Sequence, residues 1–196
     1  TEPLTTKLIQ RLLSPSDVFV DVGAHVGHHA LIAARTVGQD GRVIAIDPQP
    51  YNADRIGQNA LVNDMPQIEI IAAAVSDKEG FACFPFQSGR DRTRLAIGRS
   101  VLFECAVRRL DNMLTEKSVT HVKLLKIDVE GFEKQVLDGL GACLNKCDNI
   151  IFEQLARSGD YVADMLASAG FKLMTVEGNP YQSGYPLPEG NIWAQK

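Results

Sequence analysis

The sequence has no apolar run long enough to cross a bilayer, and nothing in it reads as a secretory leader. A cytoplasmic location is therefore expected. It also has no C-x-x-C pair. Its four cysteines, Cys83, Cys105, Cys143 and Cys147, are scattered, with no histidine near them at zinc-site spacing. That predicts free, mostly buried thiols in a reducing compartment rather than a zinc framework. Basic charge is not in excess: Lys and Arg total 20 against 24 Asp and Glu, a net charge of −4. Binding nucleic acid by bulk charge needs a basic face, so no nucleic-acid partner is expected. Repeats, low-complexity tracts and linkers are missing too. With 45% apolar and 22% charged residues, the chain reads as one globular domain over residues 1–196.

What the sequence does have is alternation. "DVFVDV" predicts a strand, "HHALIAARTV" a helix by its apolar spacing, and "VIAID" a second buried strand. "PYNADRIGQNALVN" reads as a helix with Pro50 in its first turn, and "IEIIAAAV" as a third strand. From Lys78 to Leu110 the pattern changes to two antiparallel strands, "FACFPF" and "LFECAVRRL", around a polar loop. Asp111 then caps a short helix, "NMLTEK". "VKLLKIDV" is a buried strand, and "EGFEKQVLDGL" a helix with Gly139 near its end. "NIIFEQ", "FKLMTV" and "GNIWAQ" read as strands, with the helix "GDYVADMLASAG" among them, and residues 1–16 supply an N-terminal helical segment. Such alternation implies an α/β fold, a mostly parallel sheet with helices on both faces. Its ligand sits at the carboxyl ends of the strands, near the point where strand order reverses. The residues to read are therefore Asp21 to Gly27, Asp47, Val75 to Asp77, Asp128 to Gly131, and Glu153 with Gln154.

The first of these loops is D-x-G-x-x-x-G, not the dinucleotide fingerprint G-x-G-x-x-G. His25 holds the place of the second glycine, where it would crowd a diphosphate, and Asp21 would repel one. A ligand with a positive centre and no phosphate suits that acid, and S-adenosylmethionine fits. Asp47 follows Gly27 by 20 residues, where an acid reaches ribose hydroxyls with both oxygens accepting. The bland alternative is that the glycines only serve a tight turn.

The segments "FVDVGAHVG", "VIAIDPQP", "AAAVSDKEG", "RRLDNML", "LLKIDVEGFEKQVLDGL" and "IIFE" resemble, in this order, the FkbM-type methyltransferases. These are class I, Rossmann-like enzymes that use S-adenosylmethionine. The resemblance runs from about Asp17 to Glu153, and "KIDVEGFE" is its most specific part. The chain departs from the family at His25, where Asn is usual, and at Asp47, where Glu is common. The resemblance implies a seven-stranded, mostly parallel sheet, with residues 78–110 as a small antiparallel insertion near the acceptor site. It implies methyl transfer, most often to a hydroxyl of a sugar, lipid or secondary metabolite, so the expected partner is a small hydroxylated acceptor.

Carried over by position, Gly23, Ala24 and Gly27 form the loop beneath the methionine part of the cofactor, with His25 a further contact there. Asp21 lies near the ammonium or orders the loop, Asp47 holds the ribose, and Ser76 and Asp77 stand where the adenine is met. "SDKEG" is also plain turn chemistry, a rival account of Asp77. Asp128, beside the sulfur, is a candidate both for holding the ammonium and for taking the acceptor proton. Glu130 is either catalytic or the cap of a helix opened by Gly131. Glu153 is the third catalytic candidate, and Asp128, Glu153 and Gln154 make an oxygen set suited to Mg2+.

Other features keep two readings. His28 and His29 are adjacent and point to different faces, so one is packed and the other is exposed or near the cofactor. His121 reads as structural. Arg90, Arg92 and Arg94 alternate and would share one side of an extended segment, as an anion contact or an exposed loop. The tail "EGNPYQSGYPLPEGN" could line the acceptor pocket, and an open edge strand near the terminus could support a homodimer. Two alternatives remain at this level: an NAD-dependent oxidoreductase or epimerase, and a non-catalytic interaction module.

Overall fold

The computed structural model describes residues 2–85, 102–154, 161–181 and 189–196. In chain order the elements are α1 (Pro3–Leu12), β1 (Val18–Val22), α2 (His28–Val37), β2 (Arg42–Ile46), α3 (Pro50–Val62), β3 (Ile68–Ile71), β4 (Ala74–Val75), β5 (Gly80–Pro85) and β6 (Leu102–Arg108). They continue with α4 (Leu110–Glu116), β7 (Val122–Ile127), α5 (Glu133–Leu140), a 3-10 turn (Gly141–Lys146), β8 (Cys147–Gln154), α6 (Tyr161–Ser168), β9 (Lys172–Thr175) and β10 (Gly190–Gln195). Arg90, Arg92 and Arg94 lie outside the described residues, as do residues 182–188 of the tail.

Seven strands form one sheet in the order β3-β2-β1-β7-β8-β10-β9. The first five run parallel, and β10 runs antiparallel to both of its neighbours. The chain winds outward from β1 to β3, then returns to lay β7 against the other side of β1. Strand order therefore reverses between β1 and β7, and a crevice opens at their carboxyl ends. Alternation along each strand separates two cores. Phe19, Val43 and Leu124 face the helices α1, α2 and α3, while Val20, Ile44 and Leu125 face α4, α5 and α6.

Three expectations change. "IEIIAAAV" is two strands. The backbone turns at Ala73, whose N–H donates to Ile71 O, and β4 leaves the main sheet. There it pairs in parallel with β6, which pairs antiparallel with β5 in a second, three-stranded sheet. An unbroken apolar run carries no mark of such a switch. Helix α5 opens at Glu133 rather than Glu130, because Glu130 and Gly131 both take left-handed φ, 56° and 103°. Glu133 Oε1 accepts from the N–H of Val129 and of Gly131, so the carboxylate that steadies this turn is Glu133, not Glu130. Helix α4 begins one residue before Asp111, whose carboxylate takes the Arg109 guanidinium at 2.6 Å and accepts the Asn112 N–H at 2.7 Å from within the first turn rather than from the cap position.

Gly139 lies near the end of α5 as expected, and Gly141 follows the helix as its cap. Gly139 serves close packing, since a Cβ there would stand 2.1 Å from the backbone oxygen of Ser76. Gly139→Ala gains helix propensity but must push a carbonyl aside. The clash wins, and urea unfolding should show a loss of about 2 kcal/mol; equal or higher stability would remove this packing role.

Candidate active site

The turn after β1 is built around missing side chains. Gly23 has φ +82°, and a Cβ on it would stand 1.8 Å from the backbone oxygen of Asp128. With hydrogen in that place, the N–H groups of Gly23 and Ala24 both reach Ile46 O, at 2.9 and 3.0 Å. The loop is thus tied to the ends of β2 and β7 at once. His25 is left-handed at φ 50°, a conformation costly for a residue with a side chain. Its N–H donates to Asp47 Oδ2 at 2.8 Å, which holds it there. Gly27, φ +86°, then opens α2.

Asp47 does more than the ribose contact expected of it. Its Oδ1 accepts from Gln49 N–H and Asn52 Nδ2, both at 2.9 Å, in addition to the His25 bond on Oδ2. A carboxylate offers about four acceptor sites, so roughly one is left for a ligand hydroxyl. Asn52 is buried and had no signal in the sequence beyond its place in the first turn of α3.

These residues wall a cavity of about 1020 Å³ at the switch point. Gly23, Ala24, His25, Asp47 and Ser76 line it, with Asp128, Glu130 and Phe132 from the end of β7 and Phe84 from the insertion. Asp21, Gly27, Asp77 and Glu153 are not on this wall. Asp77 Oδ1 instead accepts from Ser76 Oγ, and its backbone oxygen from Arg109 Nη1. Asp21 is 1% exposed, and neither carboxylate oxygen has a hydrogen-bond partner among the described residues. Burial pushes its carboxyl up from 3.8 to about 6, against the pull of Lys126.

Lys126 is the side chain the sequence reading passed over. It is 2% exposed, donates to Asp128 Oδ2 at 2.8 Å, and stands 3.8 Å from Asp21 Oδ1. A charge at the end of "VKLLK", inside an apolar strand, was the available signal.

Oxygens of Asp128, Glu130 and Glu153 converge within 4.8 Å of one another. Glu153 Oε2 is buried and has no hydrogen-bond partner among the described residues. Burial first, then the like charges of Asp128 and Glu130, raise the Glu153 carboxyl from 4.5 to about 6. Glu130 thus stands with Asp128 and Glu153 of the expected oxygen set. Of the histidines, His28 is exposed, His29 is packed, and His121 Nε2 pairs with Asp148 at 2.9 Å.

Comparison with known proteins fits this geometry. The profile of the Methyltransferase FkbM domain matches residues 21–173. The chain belongs to the FkbM methyltransferase family. The AMB antimetabolite synthetase AmbE of Pseudomonas aeruginosa is 28% identical over 83% of this chain, which spans only 10% of that protein. The FkbM methyltransferase of Methylobacillus flagellatus KT superposes with a TM-score of 0.62 at 17% identity, over 93% of this chain and 44% of its own. SMU.1697c of Streptococcus mutans, solved in complex with SAH, gives 0.59 at 8% identity over 99% and 96%. Further structures of the same fold include rRNA methylases. This FkbM domain therefore spans well under two thirds of the curated synthetase and of the solved FkbM structure.

His29 gives the FkbM domain an acid-sensitive spot. Burial, then the Lys126 charge, lower its imidazole from 6.5 to about 4. Its contribution is intact above pH 6.5 and is lost as pH falls toward 4, a penalty of about 3 kcal/mol when complete. Asp21 and Glu153, raised, act in the opposite direction over about the same range. The stability difference between wild type and His29→Phe isolates the histidine. It should move in favour of the variant between pH 6.5 and 4; a difference that stays constant with pH would refute the assignment.

Proposed function

We propose that this FkbM domain moves a methyl group from S-adenosylmethionine to a hydroxyl oxygen of a small molecule. The observation that carries the reading is the charge of the cavity. Among the described residues, Asp47, Asp128 and Glu130 stand on its wall, and the one lysine there, Lys126, is already paired with Asp128. Such a wall repels a pyrophosphate and favours a cofactor bearing an ammonium and a sulfonium. It also disfavours RNA as acceptor, in keeping with the net charge of −4.

In this reading the 23–27 loop lies beneath the methionine part. Asp47 offers its remaining acceptor site to the ribose, Ser76 faces the adenine, and Asp128 takes the ammonium. Methyl transfer is an in-line displacement that needs the acceptor oxygen aligned and relieved of its proton. Glu153, set behind the wall with an oxygen within 4.8 Å of those of Asp128 and Glu130, suits that task. It is ionised at neutral pH yet more basic than an ordinary glutamate. The apolar side chains of Phe84 and Phe132 would cover the reacting atoms and exclude water.

A second reading is favoured by one observation, the convergence of the three carboxylates. That is an all-oxygen donor set of the kind Mg2+ takes, and the ion would hold the acceptor oxygen and ease its ionisation.

Calorimetry with S-adenosylmethionine should give micromolar binding, weakened about tenfold to a hundredfold by Asp47→Ala. No binding by folded wild type would overturn the proposal. Methyl transfer assayed in a chelating buffer should fall as pH drops through about 6, where Glu153 takes up a proton. Glu153→Gln should lower kcat by about 100-fold or more and flatten that profile. Activity that vanishes in the chelator and returns with Mg2+ would assign the carboxylates to the cation instead.

A further inference from the structure

Strand β7 buries an ammonium group near its carboxyl end. Lys126 shares the helix-covered face of the sheet with Phe19 and Leu124, among apolar neighbours. An unpaired charge there would cost several kcal/mol, so its pairing must explain it. In the parallel register Asp21 of β1 lies directly beside Lys126, its Oδ1 3.8 Å from Nζ. Two residues on, Asp128 Oδ2 accepts from the same Nζ at 2.8 Å. The three charges form a row that runs from the interior to the cavity. Asp21 is off the wall, while Lys126 and Asp128 are on it.

We propose that Lys126 is a positioning residue for the cofactor: held from behind by Asp21, it fixes one oxygen of Asp128 and so presents the other to the cofactor's ammonium. This rests on the S-adenosylmethionine reading above. A carboxylate at a strand end turns freely about two bonds, and a neighbour that fixes one oxygen removes that freedom before the ligand arrives. Asp21, the acid of the D-x-G-x-x-x-G loop, acts on the ligand only through Lys126.

The test compares two ligands by calorimetry. S-adenosylhomocysteine carries the amino-acid end, and 5′-methylthioadenosine lacks it. Lys126→Met should weaken S-adenosylhomocysteine about tenfold or more and 5′-methylthioadenosine less than about twofold. In an Asp128→Asn background the same change should add little further loss. Lys126→Met leaves Asp21 buried without a counter-charge, which threatens folding. The double variant Asp21→Asn/Lys126→Met removes both charges; it should recover the melting temperature but not the affinity for S-adenosylhomocysteine. Equal losses for the two ligands, or no loss for either, would overturn the positioning role. A wild type that binds neither ligand overturns the cofactor reading first, and this proposal with it.

Discussion

The hydrogen atom that replaces a side chain at Gly23 lets the strand-to-helix turn lie directly on the backbone of Asp128. Everything at the site depends on this contact. It brings the ends of β1, β2 and β7 to one place, so that His25, Asp47 and Asp128 belong to a single cavity. Any larger residue would lift the loop away from β7. The N–H groups that now reach Ile46 would be left unpaired, and Asp47 would lose the His25 amide that it holds. Backbone geometry comes first here, and side-chain chemistry is laid over it.

Charge is the second organising constraint. Acids at successive strand ends repel one another, and burial disfavours their ionised forms. The chain meets this in different ways at different acids. Asp47 is wrapped in three hydrogen bonds, Asp128 is given a lysine, and Glu153 is left with a raised carboxyl. Groups of one chemical type thus acquire different hydrogen bonding and basicity from their surroundings.

The sequence made much of this legible. The helix α2 and the strand β10 have the bounds read from periodicity, and the acids just past β2 and β7 stand on the cavity wall as their positions implied. These features are local, since period, glycine placement and strand-end chemistry lie within a few residues of one another. What escaped the reading depends on distant partners. The turn at Ala73 is hidden in an apolar run, because Ile, Ala and Val suit either sheet. Asn52 matters only because α3 brings it to Asp47. Lys126 looked like part of a strand until β1 placed Asp21 beside it. The start of α5 was misread because Glu130, a residue not marked for left-handed backbone, adopts it.

The wall of the cavity comes from two sheets with separate scaffolds. The main sheet supplies the loop and the acids. The small sheet supplies Ala82, Cys83, Phe84 and Val107, and joins the rest through the short strand β4 and the polar contacts of Asp77 and Glu79 with Arg109. Its β5–β6 pair contributes few side chains to the two main cores. Changes of shape in that hairpin therefore alter what the cavity admits at little expense to the stability of the domain. The loop with its acids and the wall around Phe84 rest on different mechanical foundations, and in a lineage of such proteins the second can diverge while the first is preserved.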